Sequence, residues 1–216
     1  VRVVGVPLVD VFPVASSPVP ARRRLNRQSL AIGPASDAKL AGSRIAVAGL
    51  SGGGSHVVQQ LAHAGVGALI LLDDDHVDET NRGRLVRSRH DDDGELKTNV
   101  MRRLVEGIDP SISVTAVPYR TSSPEGLAAI READIIVACV DRFDVRAQIN
   151  AIARRYSIPL VDIGMTLESE GEALKSATGQ AVLAVPGAAC ERCMPLLSDA
   201  VLDWERQHAP PGYDRN

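Results

Sequence analysis

Residues 73–100, DDDHVDETNRGRLVRSRHDDDGELKTNV, gather Asn81, Arg84 and Lys97 behind an acidic residue, Asp73. Polar and cationic groups so arranged suit a polyphosphate. They would hold it, and would stabilise charge on a leaving pyrophosphate and at the attacked phosphorus. An enzyme that moves a hydride has no comparable need for them. Just upstream, GLSGGGSHVV places Gly49, Gly52, Gly53 and Gly54 between an apolar run and a helical pattern. A turn of that kind exposes backbone N–H groups and the positive end of a helix dipole to phosphate. Asp73 falls 19 residues past Gly54, at the tip of the next apolar run, where an acid meets ribose hydroxyls in nucleotide-binding βαβ units. The dinucleotide pattern wants a middle glycine so that backbone can approach a pyrophosphate, and Ser51 stands there instead. The loop is expected to bind nucleotide, with NAD disfavoured.

These residues need a scaffold, and from Arg44 onward the chain alternates apolar strand with amphipathic helix. RIAVAG (44–49), ALILLD (68–73), ISVTAVP (112–118) and DIIVAC (134–139) read as strands, and PLVDIG (159–164) and GQAVLAV (179–185) close the sheet. Residues 55–64 read as a short helix with Val57 and Leu61 on one face. Residues 97–108 carry Met101, Leu104, Val105 and Ile108 at helical spacing, and 143–156 bury Val145, Ile149 and Ile152. SPEGLAAIRE (123–132) has Ser123 as N-cap and Pro124 at the first helical position. The pattern predicts an α/β fold: a doubly wound, mainly parallel Rossmann-like sheet with helices on both faces. Residues 1–20, with four prolines, read as an extended arm or the end of an upstream module, 21–30 as a basic helix, and 31–43 as a loop with at most one helical turn. The nucleotide-binding domain is assigned to 44–200 and a C-terminal segment, read as truncated, to 201–216. The polar stretch TLESEGEALKSATGQ (166–180) reads as a flexible insertion over the substrate path.

At 216 residues the chain can bury one substantial core, and no apolar run approaches the ~18 residues of a membrane span. A net charge of −3 and only 3% aromatic residues argue against nucleic acid as a partner. Three cysteines make no even disulfide framework, which points to a reduced, cytoplasmic setting. Cys139 ends an apolar strand and reads as a buried small hydrophobe. Cys190 and Cys193, in CERCMP, have the spacing of half a tetrahedral zinc site. Zn2+ is expected only if a second pair follows; otherwise the pair is a free or redox dithiol.

Taken in order, RLNRQ (24–28), GLSGGGS, LLDDDHVDETNRGR, LK (96–97) and ACVDRFDVRAQIN (138–150) resemble the ThiF/MoeB/HesA family, bacterial relatives of ubiquitin-activating enzymes. The resemblance covers about residues 24–200. It implies an adenylyltransferase that uses ATP and Mg2+ to activate the C-terminal carboxylate of a small ubiquitin-like or sulfur-carrier protein with a Gly-Gly tail. By position it implies that Asp73 holds the ribose, that Asn81, Arg84 and Lys97 face the phosphates, and that Asp141 holds magnesium. Asp75 matches a recurring family position. Arg27 matches the arginine that reaches into a neighbouring subunit's ATP site, which implies a homodimer. Members that pass the tail to sulfur use a cysteine between two cysteine pairs, so adenylation alone is the expectation here. Two rivals stay open from the residues: an NAD(P)-dependent dehydrogenase, and a relative that binds nucleotide without turnover.

Overall fold

The computed structural model describes residues 2–3, 9–10, 23–171 and 173–208. Most of the expected N-terminal arm, and residues 209–216 of the C-terminal segment, lie outside them. Residues 2–3 and 9–10 form a two-residue antiparallel pair.

Five strands take up the predicted alternation: β1 (Arg44–Ala48), β2 (Ala68–Leu72), β3 (Ser113–Val117), β4 (Ile135–Ala138) and the start of β5 (Leu160–Glu170). The sixth is β6 (Ala173–Ala184), and the order across the sheet is β3-β2-β1-β4-β5-β6. All neighbours are parallel except β5 and β6. The chain works outward from β1 to β3, then returns to pair β4 on the other side of β1. The carboxyl ends of β1 and β4 therefore border the crevice where the winding reverses, the ligand-binding position of open parallel sheets.

Both faces of the central strands are apolar because helices cover both. Ile45, Val47, Leu69 and Leu71 pack with Val58 and Ala62 of α3 (Gly52–Ala64) and Met101, Leu104 and Val105 of α5 (Lys97–Ile108). The alternate residues Ala46, Ala48, Ile70 and Leu72 face the other way. They meet Ile130 of α6 (Pro124–Ile130) and Ile149 and Ala153 of α7 (Phe143–Tyr156). Ser123 caps α6 as its sequence predicts, accepting from Gly126 N at 2.9 Å.

Three expectations need correction. Residues 31–43 are not a loop: α1 (Asn26–Ile32) is followed by α2 (Pro34–Gly42), with Gly33 at φ 82 making the break. Pro34 starts a helix well because its fixed φ suits the first helical position. The glycine-loop helix α3 begins at Gly52, three residues earlier than residue 55. The stretch 166–180 is not a loose insertion but the distal part of an antiparallel hairpin of β5 and β6, with eleven paired positions from Leu160↔Ala184 to Glu170↔Ala173. β4 pairs only with residues 160–162 of β5, so the rest of the hairpin runs past the sheet as a two-stranded ribbon.

Arg24 ties the N-terminal helices to the domain. Its guanidinium donates to Asp109 Oδ2 at 2.6 Å and to the Ala62 and His63 carbonyls at the end of α3. Burial works against charge on Asp109, but hydrogen bonds from Ser111 and Arg24 prevail and hold its carboxyl down at about 2. A depressed acid stabilises the fold above the ordinary carboxylate range, and that contribution is lost as pH falls toward about 2. Asp109→Asn is therefore expected to be less stable than wild type at neutral pH, with the two denaturation curves converging in strong acid. Urea melts across pH measure this.

Candidate nucleotide site

The turn after β1 is built by close backbone approach. Gly49 sits at φ 82 and donates to Leu72 O at 2.9 Å, and a Cβ on it would lie 2.8 Å from Cys139 O. A Cβ on Gly54 would lie 1.8 Å from Gly49 O. These two positions admit no side chain, whereas a Cβ on Gly53 would meet nothing within 4 Å. Helix α3 then starts with no side-chain cap from Ser51 and no acid in its first turn. Its leading N–H groups keep no internal acceptor, and the positive end of the helix faces the crevice. Arg84 crosses this turn: Nε donates to Ser51 Oγ at 3.3 Å, NH1 to Thr80 O at 3.2 Å, and its Cδ packs beside Gly52.

Asp73, at the end of β2, binds the turn from the other side. Its Oδ2 accepts from Leu50 N at 2.6 Å and its Oδ1 from Asp75 N at 2.9 Å. Burial raises its pKa, and the charge of Lys97 opposes that rise most strongly. Lys97 is buried; its Nζ lies 4.0 Å from Asp73 Oδ1 and donates to Asp75 Oδ2 at 2.7 Å. Asp73, Asp74 and Asp75 present oxygens within 4.8 Å of one another. Arg120 pairs with Asp74 and Lys97 with Asp75, which makes this a salt-bridged turn.

Asn81 is buried, and its carboxamide is taken up by the loop. Asp78 and Asn81 form a reciprocal capping box at the start of α4 (Glu79–Arg82), and Asn81 Nδ2 donates to His76 O at 3.1 Å. It thereby shapes the loop that delivers Arg84. Asp141 follows β4 across the crevice. Cys139 N donates to Ala48 O at 2.8 Å, so the chain leading to Asp141 lies against the glycine turn. The Asp141 carboxylate is exposed, and no hydrogen bond or ion pair holds it among the described residues.

The structure thus brings together the glycine turn, Arg84, Asp73, Asp75, Lys97 and the Asp141 segment. It does not bring Arg27 to this turn. Arg24 and Gln28 both bond carbonyls at the far end of α3, about 20 Å from its start. Cys190 and Cys193 form a separate feature with sulfurs 3.6 Å apart. Burial opposes the Cys190 thiolate, but hydrogen bonds from Cys193 and Asn150 outweigh it and bring the thiol down to about 7. Two thiols are half of a tetrahedral zinc set, and no third metal-ligating group joins them among the described residues. Cys139 is pushed up to about 12 by burial, with Asp162 adding to the rise, as befits a structural thiol.

Several buried charged residues have no role in the sequence reading, among them Arg146, Asp162, Glu191 and Glu205. Arg146 closes the CVDRFDVR run (139–146), the one signal that could have drawn notice to it. It binds Asp162 and the Val140 and Ile163 carbonyls. Burial, together with the neighbouring Asp162, raises Glu191 to about 8.

A parallel sheet with an uncapped helix end, a basic side chain across it and acids at two flanking strand ends defines a nucleotide-binding α/β domain. The chain belongs to the ThiF family, whose model matches residues 25–210. It is 33% identical over 163 residues to the SAMP-activating enzyme E1 of Haloferax volcanii, covering 76% of this chain and 57% of that protein. It is 36% identical over 151 residues to the molybdopterin-synthase adenylyltransferase of Escherichia coli K12, covering 69% of this chain and 60% of that one. Among solved structures, E. coli MccB with ATP superposes with a TM-score of 0.70 at 26% identity, over 88% of this chain and 57% of that chain. E. coli TcdA with ATP gives 0.61 at 28% identity, over 67% and 65%. The chain spans little more than half the length of the first curated relative. No helix among the described residues is long and apolar enough to cross a membrane.

Proposed function

We propose that this chain is the ATP-dependent adenylylating domain of an enzyme that activates the C-terminal carboxylate of a small ubiquitin-like or sulfur-carrier protein. The observation that carries this reading is the uncapped start of α3 with Arg84 laid across it, facing an unpartnered Asp141 over the crevice. The family and the names of its relatives support this class of acceptor. The triphosphate lies on the amides of residues 52–54, with Arg84 against its charge. Asp73 and Lys97 fix the turn beneath it, and Asp75 stands at its rim. The ribose belongs beside Asp73, once an Asp73 oxygen accepts a hydroxyl alongside its backbone N–H. A carboxylate oxygen of the tail attacks the α-phosphorus; the bond to the bridging oxygen breaks and pyrophosphate leaves with the electron pair. No proton moves, so positioning and charge neutralisation carry the rate.

Magnesium is the metal this chemistry implies. Asp141 fits it: a free, exposed carboxylate is the hard oxygen donor that Mg2+ shares with phosphate oxygens. When bound there, the ion would neutralise charge on the departing pyrophosphate. Arg27, remote from this chain's own turn, is free to serve the site of a second copy in a homodimer. Zinc at Cys190 and Cys193 requires two more ligands from outside the described residues.

The test is intact-mass detection of an AMP adduct on a small protein ending in Gly-Gly, incubated with this chain, ATP and magnesium. Arg84→Ala is expected to slow adduct formation about 100-fold, the scale of one transition-state charge donor. An unmodified tail despite bound ATP would favour the nucleotide-binding relative without turnover.

A further inference from the structure

From the end of β4 into the first turn of α7 the chain runs through residues 140–144, and Asp141 is the polar side chain there with no partner among the described residues. Arg142 and Asp144 bind each other, Nε to Oδ1 at 2.9 Å and NH2 to Oδ2 at 2.6 Å. The backbone on both sides of Asp141 is gripped by two buried charged side chains. Upstream, Arg146 NH2 donates to Val140 O at 2.6 Å, while the same guanidinium holds Asp162 and Ile163 O on β5. Downstream, the N–H groups of Phe143 and Asp144 donate to the two oxygens of Glu205 at 2.8 and 2.9 Å.

Glu205 lies on α8 (Asp199–His208), beyond the cysteine pair, and is 7% exposed. Arg142, the residue in the capping position of α7, makes no side-chain cap. The first N–H groups of a 14-residue helix would be orphans without Glu205. A buried carboxylate is costly unless hydrogen-bonded, and here two amides and the helix dipole hold it. The grip of Arg146 has its own provision: a Cβ on Gly164 would lie 2.9 Å from its NH2. Two helices, α7 through Arg146 and α8 through Glu205, thus converge on the backbone of one turn, with β5 anchoring the Arg146 guanidinium.

We propose that Glu205 and Arg146 are positioning residues that clamp the 140–144 turn and so hold the Asp141 carboxylate in place for the magnesium–nucleotide complex. This rests on the adenylyltransferase reading above and extends it to the C-terminal helix, which would set metal affinity without touching metal or nucleotide. Residues one shell out from a metal ligand commonly change metal affinity about tenfold or more.

Calorimetry on the whole chain tests it, with ATP titrated in magnesium and again in excess chelator. The readout is the magnesium-dependent gain in ATP affinity. Glu205→Gln, which keeps the packing but turns one acceptor into a donor, is expected to cut that gain about tenfold, with affinity in chelator changed less than about twofold. Gly164→Ala, which displaces the guanidinium without altering it, should do the same and stands in should the first variant not fold. The lone tryptophan, Trp204, adjoins Glu205, and its emission reports whether α8 keeps its place. An unchanged gain, or equal losses with and without magnesium, would overturn the clamp while leaving the adenylyltransferase reading intact. Failure of wild type to bind ATP at all would overturn both.

Discussion

Gly54→Ala is expected to destroy the nucleotide site, while its neighbour Gly53→Ala leaves site and fold nearly unchanged. Both glycines lie in the first turn of α3, where alanine is the better helix former by up to about 1 kcal/mol. Propensity alone would make both changes stabilising. Packing reverses the sign at one of them. A Cβ at position 54 would sit 1.8 Å from the Gly49 carbonyl oxygen, and that oxygen belongs to backbone fixed on two sides. Gly49 N is bonded to Leu72 O, and Gly49 itself packs against Cys139 O. No side chain can rotate away to make room, so helix α3 must lift off the β1 turn. Overpacking of this kind costs about 1–3 kcal/mol where neighbours can adjust, and rigid backbone on both sides places this case at the upper end or beyond. Thermal melts should show Gly54→Ala well below wild type and Gly53→Ala at or slightly above it. ATP binding should be lost in the first and kept in the second.

Lys97→Met should produce the second-largest effect, and its size should depend on pH. Methionine matches the length of the aliphatic stem, so the change removes charge with little loss of volume. It leaves the buried Asp73 carboxylate with two backbone N–H donors and no cation. Breaking a buried ion pair on one side costs about 3–5 kcal/mol. The separation of 4.0 Å and the two remaining hydrogen bonds put the expectation near the lower end, about 3 kcal/mol at neutral pH. The contact with Asp75 adds little, since that carboxylate is 62% exposed. Asp73 already titrates above its ordinary value through burial, and losing Lys97 raises it further. A carboxyl that is raised in the folded state weakens the fold as pH climbs through the carboxylate range. The deficit of Lys97→Met should therefore shrink as the solution is acidified and Asp73 takes up a proton. Adding Asp73→Asn to Lys97→Met should cost less than the sum of the two single changes, because the stranded charge is gone. Urea denaturation of the three variants at neutral and mildly acid pH measures both effects.

What could be read in the sequence and what could not divide along a physical line. The strand and helix pattern was legible because Ile45, Val47, Leu69 and Leu71 alternate with residues that face a second helical layer. The glycine turn was legible because no other residue type tolerates the approach at Gly49 and Gly54. Lys97 was picked out as a candidate from its place in the motif, but its burial between Asp73 and Asp75 depends on β2 and α5 docking, which no local pattern records. Glu205 was invisible for the same reason: the two amides it binds at the start of α7 stand 62 and 61 residues away. The distal part of the hairpin β5–β6, residues 166–180, was misread as a flexible insertion because it exposes polar side chains, Thr166 and Thr178 among them, and composition was given more weight than the alternation of Met165 and Leu167. The helix at 34–42 was missed because its bounding glycines were weighed above Pro34 as a starter.

On the proposed function, the crevice between β1 and β4 transfers AMP to a carboxylate. ATP–pyrophosphate exchange measures that step alone, in both directions, and needs no downstream transfer. The purified chain would be assayed with magnesium against small proteins ending in Gly-Gly, with Asp141→Ala run in parallel. Label from pyrophosphate is expected to enter ATP only when a carrier is present, and that exchange is expected to be lost in Asp141→Ala. Exchange that proceeds without any carboxylate acceptor, or that survives intact in Asp141→Ala, would contradict the proposed function.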